Sequence, residues 1–224
     1  HTPWEWHEAL FRAGEERGLT VFSTPFDETA VDFLEELGCP FYKVASFENN
    51  HLPLLRRVGA TGKPVIVSTG MATLAELDEC VRTLRESGCG ELVLLQCTST
   101  YPATPENSNL RTIPHMRDLF GCEVGLSDHT LGIGAAIAAV ALGATVIEKH
   151  FTLSRAEGGV DAAFSLEPEE MKALVEETGR AAEALGTIQY GPTEVEQASL
   201  AFRRSCYIAK DLQAGDTLTP ESLR

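Results

Sequence analysis

The sequence predicts an α/β fold on a parallel sheet and, within that class, part of a (β/α)8 TIM barrel. Three observations lead there. Short apolar runs alternate with helical segments along the chain. The runs are nearly continuous in apolar residues, as parallel strands covered on both faces are. Every run also finishes in polar side chains. That favours a barrel, in which all strand C-termini open on one rim, over an open sheet, whose site gathers at one switch point.

The six runs are TVFSTP (20–25), FYKVAS (41–46), PVIVST (64–69), ELVLLQC (91–97), EVGLSD (123–128) and TVIEKHF (145–151). DETAVDFLEELG and TLAELDECVRTLRESG read as helices between them. The second opens with Thr73 and Glu76 at capping-box spacing and stops at Gly88. GIGAAIAAVALGA is apolar almost all round and reads as a buried, closely packed helix. The chain opens inside a helix-like segment, PWEWHEALFRAGEERG, with no strand of its own before it. The six runs are therefore expected to be strands three to eight of a barrel whose first two βα units lie upstream. At the other end, AKDLQAGDTLTPESLR carries the turn and capping signals of a new small module. The expected organisation is a partial barrel over 1–190, a linker over 191–208 and the beginning of a second module over 209–224.

The 224 residues are 43% hydrophobic and 23% charged, the profile of a globular domain with one sizeable core. A formal net charge of −15 argues against a nucleic-acid or anionic-membrane partner. An anionic small molecule would need a local basic pocket. Cys39, Cys80, Cys89, Cys97, Cys122 and Cys206 form no CxxC pair and no zinc spacing. They read as reduced thiols, several of them core fillers, in a cytoplasmic protein. Apolar runs are short and broken by charge, so no membrane span is expected.

The strand ends supply the candidate site. His129 and His150 end consecutive runs. Adjacent strands lie about 4.8 Å apart, so both imidazoles can reach one divalent cation such as Mn²⁺ or Co²⁺. Each histidine alone also reads as a hydrogen-bonded core residue. Glu148 shares a strand face with His150 and is a candidate partner for an imidazole. Lys43 and Lys149, set among hydroxyls, suit a bound anion; a lysine with its ammonium in water is the alternative. Thr24, Ser46, Ser68, Ser99 and Ser127 each read singly as caps, and together as the lining of an oxyanion pocket. Glu48, directly after a strand, and Asp161, in the glycine-bearing loop EGGVDAAFSLEPEE, are candidate acid–base groups; Asp161 reads equally as a solvated loop residue.

The motifs KVASFE, PVIVSTGMATLAE, LLQCTSTYPA with NLRTIPHM, VGLSDHTLG and AAVALGATVIEKHFTLSR occur in this order, and together they resemble the sialic acid synthase family. FRRSCYIAKDLQAGDTLTPESLR resembles that family's linker and the first turn of its C-terminal antifreeze-like (SAF) domain. The resemblance implies a homodimeric, metal-dependent enzyme that condenses phosphoenolpyruvate with an amino-sugar aldose, releasing phosphate by C–O cleavage. It implies Mn²⁺, Co²⁺ or Mg²⁺ on His129 and His150. It places Lys43, Ser46, Ser68, Ser127 and Thr24 at positions that hold phosphoenolpyruvate. Ser99 stands where relatives often carry Asn, Tyr101 lies on the substrate side, and Glu48 and Asp161 face the sugar and the reacting centre. Within the family, SFE with FSTPFD and FRRS resembles the pseudaminic acid synthases, so the implied acceptor is 2,4-diacetamido-2,4,6-trideoxy-altrose, with Phe47 as an apolar wall against it. Three other readings stay open: an N-acetylneuraminate or legionaminic acid synthase using an N-acetylmannosamine-type acceptor, a metal-dependent aldolase, and a non-catalytic sugar-binding barrel.

Overall fold

The computed structural model describes residues 2–224. The chain divides into a body ending at Leu185 and a smaller unit, Gly186–Arg224. In the body, helices α1 (Trp4–Glu15) and α2 (Glu28–Glu36) precede a regular βα series. That series is β1 (Tyr42–Val44), α3 (Leu52–Gly59), β2 (Val65–Ser68), α4 (Leu74–Glu86), β3 (Leu92–Cys97), α5 (Thr112–Phe120), β4 (Glu123–Asp128), α6 (Gly134–Ala141), β5 (Ile147–Lys149) and α7 (Pro168–Leu185). The five strands form one parallel sheet in the order β1-β2-β3-β4-β5. Sequential order with a helix after every strand is the arrangement of a barrel wall.

The sheet curls strongly. Between β1 and β5 lie four inter-strand steps, which in a flat sheet span about 19 Å. Yet Lys43 Nζ on β1 stands 3.4 Å from Glu148 Oε2 on β5. The two side chains reach across the concave face. Alternation sorts the remaining residues. Tyr42, Val44, Val65, Val67, Leu94, Val124 and Leu126 join helix residues such as Val31, Leu55, Val58, Cys80, Leu84 and Met116 in the main core. A smaller cluster of Ala136, Leu166 and Leu174 joins α6, the loop after β5, and α7.

Local chemistry sets the helix ends. Asp27 accepts from the Ala30 amide at 2.9 Å and caps α2. Thr73 and Glu76 form the full capping box of α4, and Gly88 beyond its end takes φ +103°. The first expected strand differs. Among the described residues, 20–25 take no place in the sheet, and β1 pairs only with β2. A strand needs a neighbour for its N–H and C=O groups, and apolar content cannot supply one. The run is held by side chains instead, with Phe22 4.2 Å from Phe41, centroid to centroid. The last expected strand shortens to three residues.

The smaller unit carries a 3-10 turn, Glu194–Phe202, with its own Thr193/Glu196 capping box. An antiparallel bridge joins Ile208 to Leu223. Among the described residues, no helix is long and apolar enough to cross a membrane.

Gly125 marks the tightest approach in the sheet: a Cβ there would stand 2.2 Å from the Val146 carbonyl oxygen and 2.7 Å from Leu95 Cδ2. Gly134 has open space around its Cβ position. Gly125→Ala is therefore expected to cost about 1–3 kcal/mol in urea unfolding, while Gly134→Ala is neutral or slightly stabilising.

Candidate active site

The polar strand ends meet in a pocket of about 290 Å³ at the C-terminal edge of the sheet. Thr24, Lys43, Ser46, Ser68, Tyr101, Ser127, His129 and His150 all line it. Apart from Thr24, they come from the strands or from the segments directly after them. Only a curled sheet brings them together.

One group of contacts centres on Lys43, which is buried. Its ammonium donates to Ser68 Oγ at 2.8 Å and pairs with Glu148 at 3.4 Å. Ser127 Oγ donates to the other carboxylate oxygen of Glu148 at 2.6 Å. Glu148 is thus committed to Lys43 and Ser127, rather than to an imidazole as expected from its strand face. Lys149 also differs from expectation. Its ammonium is 2.8 Å from Asp128 on the opposite face of the sheet, so it does not serve an anion in this pocket.

The second group is thiol and hydroxyl. Ser46 Oγ accepts from the Gly70 amide at 3.1 Å and donates to Cys97 Sγ at 3.4 Å. Ser99 Oγ lies 3.8 Å from the same sulfur. Burial pushes the Cys97 thiol up, but the His129 ring and the Ser46 hydroxyl beside it outweigh that, and its pKa falls below the ordinary thiol value. Cys97 is one of six thiols that the sequence leaves undistinguished, and it lines the pocket. The signal available is its place two residues before Ser99, on the same strand face.

The third group is aromatic. The His129 and His150 ring centroids are 5.1 Å apart. Tyr101 lies tilted 4.4 Å from His129, and Phe164 lies 4.9 Å from His150. Phe164, which sequence reasoning misses, is buried beside them. His129 Nδ1 is 2.9 Å from the Thr98 carbonyl. A carbonyl can only accept, so Nδ1 carries the proton, and in the neutral ring Nε2 keeps its lone pair. Burial, with the neighbouring His129, pulls the His150 pKa down and favours the neutral, ligating form. Burial acts the same way on His129, but Cys97 and the Thr98 carbonyl outweigh it and raise its pKa. Among the described residues, no group of three or more His, Cys, Asp or Glu side chains forms a metal cage. The donor set present is two imidazoles, which fits a cation that takes its other ligands from substrate oxygens and water.

The remaining expected residues stand around the rim. Asp161 Oδ2 is 3.6 Å from His150 Nδ1. Phe47 is 60% exposed, in the turn after β1, and outside the pocket lining. Glu48 stands beside it with its Oε2 buried and without a hydrogen-bond partner. Burial raises its pKa, and nearby His51 and Lys43 offset only part of the shift. An acid with a raised folded pKa loses stability as pH rises through that value. Glu48→Gln is therefore expected to melt above the parent at pH 8. The gap should close as pH falls toward 4.5, the ordinary glutamate value, in a series of thermal melts.

A model of the NeuB family matches residues 1–190. Over 223 residues the chain is 41% identical to the pseudaminic acid synthase of Campylobacter jejuni, covering 100% of this chain and 65% of that one. It is 38% identical to the N,N'-diacetyllegionaminic acid synthase of the same organism, covering 97% of this chain and 66% of that one. Thus the chain spans less than two thirds of either relative. Among solved structures it superposes on the N-acetylneuraminic acid synthetase of Leptospira borgpetersenii, in complex with citrate, at a TM-score of 0.84 and 32% identity. That match covers 91% of this chain and 71% of the other.

Proposed function

This chain belongs to the NeuB family, and on that premise we propose that its parent protein condenses phosphoenolpyruvate with an amino-sugar aldose, forming a nine-carbon keto-acid sugar and phosphate. The observation that carries the reading is the Lys43–Ser68 and Ser127–Glu148 group facing two imidazoles across one pocket. A lysine with hydroxyls suits the phosphate and carboxylate of phosphoenolpyruvate. The imidazoles stand where an aldehyde oxygen can be polarised.

In this reading Lys43, Ser46, Ser68, Ser127 and Thr24 hold phosphoenolpyruvate, and Ser99 and Tyr101 border the acceptor. The pairing of Glu148 with Lys43 reduces its repulsion of an incoming anion. His129 and His150 hold a divalent cation (Mn²⁺, Co²⁺ or Mg²⁺), which when bound supplies Lewis acidity toward the aldehyde. C3 of phosphoenolpyruvate attacks the aldehyde carbon, water adds at C2, and phosphate leaves with C–O cleavage. Asp161, beside His150, and Glu48, with its raised pKa, are the proton-handling candidates. The pocket gains by holding both reactants in one geometry.

We assign the acceptor as 2,4-diacetamido-2,4,6-trideoxy-altrose, which makes the product pseudaminic acid. The support is the SFE motif, with Phe47 free at the rim to meet an apolar sugar face. Identities of 41% and 38% to pseudaminic and legionaminic acid synthases do not separate the two acceptors. The same resemblance carries the rest of the proposal. Two further βα units, with residues 20–25 as the strand between them and β1, complete the eight-stranded barrel of the intact protein, 191–208 is a linker, and 209–224 opens an antiparallel-bridged SAF domain. The protein is a cytoplasmic homodimer.

The test follows phosphate release from phosphoenolpyruvate by the intact protein with Mn²⁺. The acceptors are the diacetamido altrose, the legionaminic precursor and N-acetylmannosamine. Release with the altrose sugar alone is expected, with loss of roughly 100-fold or more in His150→Ala and after chelation. Release with another sugar would sink the acceptor assignment, and release with none would sink the synthase reading. Lys43→Gln is expected to raise the KM for phosphoenolpyruvate about 10- to 100-fold, the value of one charged hydrogen bond, and to leave the acceptor KM nearly unchanged.

A further inference from the structure

The Asp128–Lys149 pair takes no part in the pocket contacts, yet it stands directly behind them. Asp128 ends β4, Lys149 ends β5, and the two face each other in the parallel register. Both side chains are only 2% exposed, with Nζ to Oδ2 at 2.8 Å. Asp128 Oδ1 also accepts from the Thr130 amide at 2.9 Å, and Lys149 also donates to the Thr130 carbonyl. These contacts hold the backbone before and after His129 to the residue just before His150. Strand side chains alternate in direction, so the pair turns away from the pocket while both imidazoles turn into it.

Tyr101 and Phe164 pack against the two rings, but polar contacts to them are few. His129 bonds the Thr98 carbonyl and stands beside the Cys97 thiol. His150 Nδ1 is 3.6 Å from Asp161, too far for a firm hydrogen bond. Their spacing therefore follows the spacing of their backbones. An ion pair this buried is a poor means of gaining stability, since well-packed apolar residues often serve as well. A short charge-assisted bond is directional, however, and fixes one geometry where apolar packing allows several. We propose that Asp128 and Lys149 are positioning residues that set the 5.1 Å separation of the His129 and His150 rings, and with it the fit of a divalent cation between them. The cation part of this inference rests on the function proposed above; the ring geometry does not.

The test variant is Asp128→Asn with Lys149→Met in the intact protein. It leaves no unpaired buried charge, and the carboxamide put in place of the Asp128 carboxylate keeps an acceptor for the Thr130 amide. Two readouts are taken on the folded variant. The first is the histidine Cε1–H resonances without metal, which feel the ring currents of Tyr101 and Phe164. The second is Mn²⁺ affinity by titration. The expected result is a native far-UV spectrum, shifted or broadened His129 and His150 resonances, and Mn²⁺ bound about 10- to 100-fold more weakly. Parent-like resonances together with parent-like Mn²⁺ affinity would overturn the proposal. If the parent itself binds no Mn²⁺, the cation reading fails and the resonances alone decide the positioning role. Should the first variant not fold, Asp128→Asn with Lys149→Gln, which keeps a neutral donor for the Thr130 carbonyl, carries the same two readouts.

Discussion

The contact between Lys43 and Glu148 joins the first strand of the sheet to the last, and it can form only if the sheet curls. Everything in the pocket depends on that curvature. Ser68, Ser127 and the two imidazoles converge because the curled sheet turns the concave-face side chains at the ends of β2, β4 and β5 into one pocket. The driving force is on the other face. Helices α2 to α5 bury Tyr42, Val44, Val67, Leu94 and Val124 and so wrap the sheet from outside. At the strand ends the concave side carries polar groups, each of which must find a partner or a substrate, while Ile66 and Leu95 share the same face further along the strands.

The two ion pairs at the strand ends divide that work by face. Lys43–Glu148 lies inside the curl, with the carboxylate partly open to the pocket, where charge can meet a ligand. Asp128–Lys149 lies outside it, fully covered, where charge can meet only its partner. Glu148 and Lys149 are adjacent in sequence and opposite in role. The two-residue period of a strand is enough to separate them.

Strain and close approach gather on the same rim. Met71, a non-glycine residue, takes φ +66° just after β2. A Cβ at neighbouring Gly70 would stand 2.1 Å from Ser99 Oγ. Ser46 accepts from the Gly70 amide, so the loop after β2 is pinned against the ends of β1 and β3. The tight backbone explains how small hydroxyl side chains from separate segments reach one cysteine. Membership of the NeuB family and a TM-score of 0.84 to a sialic acid synthetase fit this economy: the strand ends carry the site and the helices carry the fold.

The alternation of strand and helix, the capping box of α4, the parallel sheet and the set of side chains at the strand ends are all legible in the residues alone. These depend on local chemistry: apolar content, period and cap residues act within a few positions. Partners were beyond the reach of the sequence. Residues 20–25 read as a strand, but a ladder needs a neighbour, and β1 offers its edge to none of them. Glu148 and Lys149 read as site residues alike, but burial against Asp128 removes one from the pocket, and Ser127 with Lys43 claims the other. Cys97 reads as one thiol among six and Phe164 as one more residue of a loop, yet curvature turns the first into the pocket and brings the second against the imidazoles. Only the tertiary structure decides such pairings, because they are set by distances between strands far apart in the chain.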